Sequence, residues 1–139
     1  MSSSSSPIVT PKFLDHLVLT VSDLDRTLSF YTSLLHMRHH TFAASSSQKD
    51  EPPRHALAFG NAKINLHIAG REFEPRAASA RPGTADLCFL VAEPVDDVLT
   101  RLRGRGIEVL EGGRVVQRAG ARGPLQSVYV RDPDGNLIE

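Results

Sequence analysis

His16-Leu17-Val18-Leu19-Thr20-Val21 is an apolar run followed by a helix signal, and Asp86-Leu87-Cys88-Phe89-Leu90-Val91 repeats that arrangement seventy positions later. Each half then closes on a turn and a short alternating segment, Lys63-Ile64-Asn65-Leu66-His67 in the first and Asn136-Leu137-Ile138-Glu139 in the second. Short apolar or alternating runs bounded by turn residues read as strands. The chain therefore reads as one strand–helix–strands unit stated twice. Two such units can pack with their curved sheets facing each other, so that polar residues at matching strand positions converge on one cleft. A small protein can build a metal or substrate site in this way without a contiguous motif.

The elements between these anchors follow the same plan. After the strand at 13–21, Ser22 is placed to cap a helix, with Asp25 in capping-box position and Asp23 favourable at the positive helix end. Leu24, Leu28, Tyr31 and Leu35 recur on one face and predict a helix over 23–36. Residues 37–42 read as a strand, and 43–54, Ser-rich with Pro52-Pro53, as an irregular loop. The segments 55–59 and 63–68, joined at Gly60-Asn61, form a hairpin. Residues 70–83, with Pro75, Pro82 and Gly83, make a linker. The second unit opens with a strand at 85–91. Its helix starts at Pro94, carries the stripe Val95, Val98, Leu99 and Leu102, and ends at Gly104 and Gly106. A strand at 107–110 and a Gly- and Arg-rich loop through Pro124 come next. Strands at 127–130 and 137–139 then flank the turn Asp132-Pro133-Asp134-Gly135. The expected architecture is α+β, two paired βαβββ modules forming an open curved sheet. Module one covers about 12–69, the linker 70–83 and module two 84–139, together one domain over 12–139 behind a disordered tail at 1–11.

Composition narrows the function classes. With 139 residues, 40% hydrophobic and 23% charged, the chain has ordinary globular proportions. Its 16 basic residues balance 16 acidic ones, so no net field draws nucleic acid or an anionic membrane, and neither is an expected partner. No apolar run approaches the roughly 20 residues that span a bilayer. The serine run at 1–7 lacks the basic and apolar regions of a signal peptide. The lone Cys88 excludes an internal disulfide and a thiolate metal cluster, and it suits a reducing, cytoplasmic setting. Inside an apolar strand it is expected to be a packing residue.

Superposing the halves pairs His16 with Asp86 on the first strands, and Asn65 with Glu139 on the last. An imidazole and carboxylates on one cleft face make an open site for a borderline or hard divalent cation. Water or substrate oxygens would fill its remaining positions, and the cation would act as a Lewis acid. His67, two residues past Asn65, shares its strand face, and Tyr129 lies opposite Glu139 as a proton donor. His36, His39 and His40 read as a solvated helix end, where imidazolium is favoured in any case. Arg114, Arg118 and Arg122 read as a solvated loop that could clamp a carboxylate or phosphate. No Gly-x-Ser-x-Gly elbow supports a serine nucleophile.

The segments Asp15 to Val21, Phe30-Tyr31, and Phe59-Gly60 through Lys63-Ile64-Asn65-Leu66-His67 resemble the glyoxalase/vicinal-oxygen-chelate superfamily. Glu72-Phe73-Glu74-Pro75, Pro82-Gly83 and Arg131-Asp132-Pro133-Asp134-Gly135-Asn136-Leu137-Ile138-Glu139 are similar to its glyoxalase-domain-containing branch. The likeness runs from about Phe13 to Glu139, outside the tail and the 43–54 loop. It implies paired βαβββ modules around a divalent metal, and members that include lactoylglutathione lyases, epimerases, extradiol dioxygenases and metal-free antibiotic-sequestering proteins. It places metal ligands at His16, Asp86 and Glu139, with Asn65 standing where glyoxalase I and the epimerases carry Glu or Gln. Glu139, Tyr129 and His67 are the expected catalytic residues. The expected cofactor is a divalent ion (Zn, Ni, Mn or Fe), and the expected partners are a small-molecule substrate and a second copy in a homodimer. The function implied is metal-dependent lyase, isomerase or dioxygenase chemistry on a substrate chelating through vicinal oxygens. The alternative is a metal-free sequestering protein of the same fold.

Overall fold

The structure is a computed structural model that describes residues 5–43 and 51–139. Residues 1–4 of the expected tail and 44–50 of the expected loop lie outside the described residues. The first module is built on β1 (His16–Val21), α1 (Leu24–Ser33), β2 (Arg38–Phe42), β3 (Arg54–Phe59) and β4 (Ala62–Ile68). Its strands form one sheet in the order β1-β4-β3-β2, with β1 parallel to β4 and the other pairs antiparallel. The second module contains β5 (Asp86–Leu87), α2 (Val95–Gly104), a short 3-10 turn at Glu111–Gly113, β6 (Val116–Gly120), β7 (Gly123–Ser127), β8 (Val130–Arg131) and β9 (Leu137–Ile138). It pairs as β5-β9-β8 and, separately, as β6-β7. Only Val128 and Tyr129 separate β7 from β8. Traced as one interrupted strand, they give the order β5-β9-β8/β7-β6, which matches the first sheet. The fold is α+β, a βαβββ unit present twice.

Several local expectations are corrected. The N-cap of α1 is Asp23, whose side chain accepts from Arg26 N; Ser22 instead donates from its backbone and hydroxyl to Asp134 of the second module. The helix stops at Ser33 rather than His36, because His36 turns to φ +53 and Met37 N donates back to Tyr31 O at 3.0 Å. Residues 107–110 are not a strand. The second strand of module two is β6, within the segment expected to be loop. Its hairpin partner β7 follows a two-residue connection, Ala121-Arg122. Both connecting residues keep negative φ while Gly123 takes +129°, so the Asn-Gly signature of a primed turn is absent. β5 is likewise shorter than the expected 85–91 strand.

The alternation along β1 and β4 puts Leu19, Val21, Ile64 and Leu66 on the helix side of the sheet, where they join Tyr31, Met37 and Leu57. Val130 and Ile138 enter the same cluster from module two, with Leu24, Leu28, Phe89 and Leu102 packed against it. Both modules thus bury their helix sides in one core and leave their other faces open. A polar clamp locks the joint. Tyr31 OH donates to Asp132 Oδ2 at 2.7 Å, and Ala85 N to Asn136 Oδ1 at 2.9 Å. Burial and then Asp132 push the Tyr31 phenol well above its ordinary pKa, so it is a permanent donor.

Gly83 supports this clamp from the linker. Its φ is +80°, and an added Cβ would lie 2.6 Å from Asp134 O. Alanine there meets both a left-handed backbone and a backbone oxygen that cannot rotate away. Gly83→Ala is expected to cost about 2–3 kcal/mol in urea unfolding. Alanine at Gly60, where no atom lies within 4 Å, should cost only the backbone part, about 1 kcal/mol.

Candidate functional site

Parallel register places His16 beside Lys63, Val18 beside Asn65 and Thr20 beside His67. These residues share the open face of sheet one, opposite the core-facing Leu19 and Val21. His16 begins β1 and is half-exposed, with its Nδ1 2.7 Å from Asp15 Oδ2. An ionised carboxylate has no proton to give, so Nδ1 is the donor in this contact. This is the carboxylate–imidazole pairing that orients metal-binding histidines. Asn65 and His67 follow on β4. His67 is 8% exposed, and its imidazole pKa is lowered by burial and then by Arg54.

The open face of module two carries the carboxylates. Glu139 N donates to Leu87 O, and Phe89 N to Glu139 O, both at 2.8 Å. The β5–β9 pairing therefore continues past the short strands and sets Cys88 beside Glu139. Ser127 Oγ donates to Glu139 Oε2 at 2.6 Å, holding one carboxylate oxygen. Tyr129 stands across from Glu139 by extension of the β8–β9 register. Its hydroxyl accepts from Arg118 Nε at 3.0 Å, and the guanidinium lies 5.3 Å from the ring centroid. Burial and Glu139 raise the Tyr129 pKa against the opposing pull of Arg118, so the phenol keeps its proton at neutral pH. Asp86 opens β5 on the same face and is exposed. Among the described residues no three His, Cys, Asp or Glu side chains gather as a metal site. One chain alone does not bring His16, Asp86 and Glu139 together.

Two further side chains differ from expectation. Cys88 is exposed on this face rather than packed in the core. Its pKa is raised by burial first, then by Glu139 and Asp86. Disulfide-exchange labelling of Cys88 should therefore follow a pH midpoint above the usual thiol value of about 8.5. Glu139→Gln should move that midpoint down and speed labelling at neutral pH; no change would mean the carboxylate does not face the thiol. His39 belongs to β2 rather than a helix end, and its Nε2 meets His55 Nδ1 at 2.9 Å on the helix side of the sheet. His55 is pushed below its ordinary value by burial and then by His39.

The sequence alone does not assign these supporting roles to Asp15, Ser127 and Arg118. For Ser127 a signal existed: it precedes Tyr129 by two positions and so shares its strand face. For Arg118 there was none, because its place depends on the β6–β7 hairpin.

The family model for the Glyoxalase/Bleomycin resistance protein/Dioxygenase superfamily matches residues 13–139. The chain belongs to this superfamily. Virulence protein STM3117 of Salmonella typhimurium is 48% identical over 126 residues, covering 91% of this chain and 81% of that one. Its crystal structure superposes with a TM-score of 0.83 at 45% identity, over 94% of this chain and 95% of that chain. Glyoxalase domain-containing protein RDO1 of Mycosarcoma maydis is also 48% identical over 91% of this chain, which spans 65% of that relative. Lactoylglutathione lyase from Agrobacterium tumefaciens shares the fold of this superfamily member at a TM-score of 0.63 and 21% identity, over 92% of this chain and 91% of that one.

Proposed function

We propose that this superfamily member is a metal-dependent small-molecule enzyme of lyase, isomerase or dioxygenase type, with His16, Asp86 and Glu139 as metal ligands. The observation that carries the reading is the Asp15–His16 pair, in which a carboxylate engages Nδ1 so that Nε2 would be the ligating nitrogen. The donor set fits a borderline divalent ion, one imidazole and two carboxylates with room for substrate oxygens. Such an ion, when bound, supplies Lewis-acid polarisation of chelated oxygens. Ser127 would hold the Glu139 carboxylate, and Tyr129, protonated at neutral pH, would donate to developing charge on the substrate.

The ligands would come from two copies of the chain in a cytoplasmic homodimer. The open face of module one carries the imidazole, the open face of module two the carboxylates, and a single chain does not unite them. Exposed apolar side chains support a partner: Phe13 is 75% exposed, Val18 45%, Leu90 64% and Val91 53%.

A metal-free sequestering role is the second reading. It is favoured by a cavity of about 780 Å³ walled by Leu35, Phe89, Leu90, Val98, Leu102 and Leu125, with Glu93, Arg101, Arg105, Ser127 and Glu139 among its polar liners. Elemental analysis of protein purified without chelator separates the two. Stoichiometric divalent metal supports the enzyme, and less than roughly a tenth of an equivalent sinks it in favour of sequestration.

A further inference from the structure

Four buried side-chain polar atoms among the described residues lack a hydrogen-bond partner: Thr27 Oγ1, Arg54 Nε, Asn65 Oδ1 and His67 Nδ1. Three of them belong to one corner. The β3–β4 register pairs His55 with Leu66 and Ala56 with Asn65, so Arg54 is the next cross-strand neighbour of His67, and all three face the open side of sheet one. Each buried polar atom left unpaired costs about 1–3 kcal/mol, so three together mark a place built for something else to complete.

The charge of the corner indicates what completes it. The Arg54 guanidinium lies 4.1 Å over the Phe73 ring, whose edge-to-face contact with His67 is 5.6 Å between centroids. Arg54 makes no ion pair among the described residues. The nearby carboxylates, Glu72 and Glu74, are both taken by Arg76 at 3.1 and 3.2 Å. A cation–π contact substitutes only in part for the hydration a half-buried guanidinium loses. His67, alone of the corner residues, also lines a cavity of about 520 Å³ walled by Thr20, Arg76, Arg81 and Thr84 among others; its charged liners are the two arginines, and no carboxylate enters it.

We propose that Arg54, His67 and Asn65, closed over by Phe73, hold the carboxylate end of a hydroxy acid, so that the substrate class is a small organic acid. Arg54 and the Nδ1 hydrogen of His67 donate to the carboxylate, and Asn65 Oδ1 accepts from the neighbouring hydroxyl. The assignment rests on the reading of this open face as the substrate wall and on no metal ligand.

The test uses the full-length protein and mandelate as probe, with its neutral amide and inorganic phosphate as comparisons, read by titration calorimetry and by nitrogen–proton NMR shifts. Mandelate is expected to bind and to shift the Arg54 and Phe73 signals, with the amide about tenfold weaker. Arg54→Gln should weaken mandelate by a similar factor; Arg54→Lys, which keeps the charge but not the fork, should weaken it less. If the glutamine variant fails to fold, the lysine variant decides. Loss of binding in His16→Ala with retention in Arg54→Gln would show that the acid chelates metal instead, overturning the corner while leaving the proposed metal chemistry intact. Equal affinity for acid and amide, tighter binding of phosphate, or no mandelate binding would also overturn it.

Discussion

His16→Ala is expected to lose about a hundredfold or more in divalent-metal affinity, and turnover with it, while the fold survives. The ring is half-exposed at the start of β1 and takes no part in the core. Its removal should therefore change unfolding free energy by no more than about 0.5 kcal/mol. Asp15→Asn is the companion experiment. It keeps the imidazole but removes the carboxylate 2.7 Å from Nδ1, and it should weaken metal binding by about 10-fold by loosening ring orientation and basicity. Metal per protein measured on variants purified in parallel, with urea unfolding as control, reads both effects. Wild-type metal content in His16→Ala would remove His16 from the ligand set.

Asp132→Ala is expected to be the most destabilising single substitution in the clamp, at about 3–5 kcal/mol. Asp132 is 5% exposed and accepts from Tyr31 OH at 2.7 Å, Asn136 Nδ2 at 2.8 Å, and the backbone N–H groups of Asp134 and Asn136 at 2.9 Å. Alanine strands all of these donors, most of them buried, and frees the turn that positions β9 and Glu139. Tyr31→Phe removes one donor and leaves Asp132 with the others, so it should cost only about 1–2 kcal/mol. That loss is a large share of the 5–15 kcal/mol total typical of a domain only for the aspartate. Urea unfolding of the two variants tests the ordering; a smaller loss for Asp132→Ala than for Tyr31→Phe would contradict it.

The first module was legible because its signals are local. β1, the apolar face of α1 and the Gly60-Asn61 hairpin each follow from periodicity or turn chemistry within a dozen residues. The second module was legible only in outline. Residues 107–110 have strand-like side chains but no full strand partner; only Leu110 N bonds across, to Tyr129 O at 2.9 Å. The true strand β6 forms in a segment of Gly, Arg and Gln because β7 is available to pair with it. Cys88 was misplaced for a related reason: an apolar run does not say which of its residues face the core.

Alternation and duplication in the sequence were enough to determine the βαβββ unit, its repetition and the strands that carry His16, Asn65, His67 and Asp86, because side-chain period is a property of each strand alone. Only the tertiary structure decided what stands beside the site residues: Asp15 on His16, Ser127 on Glu139, Arg118 on Tyr129, Arg54 and Phe73 around His67. Those neighbours come from register and from the packing of separate elements, and the free energies that set them depend on contacts between residues distant in the chain.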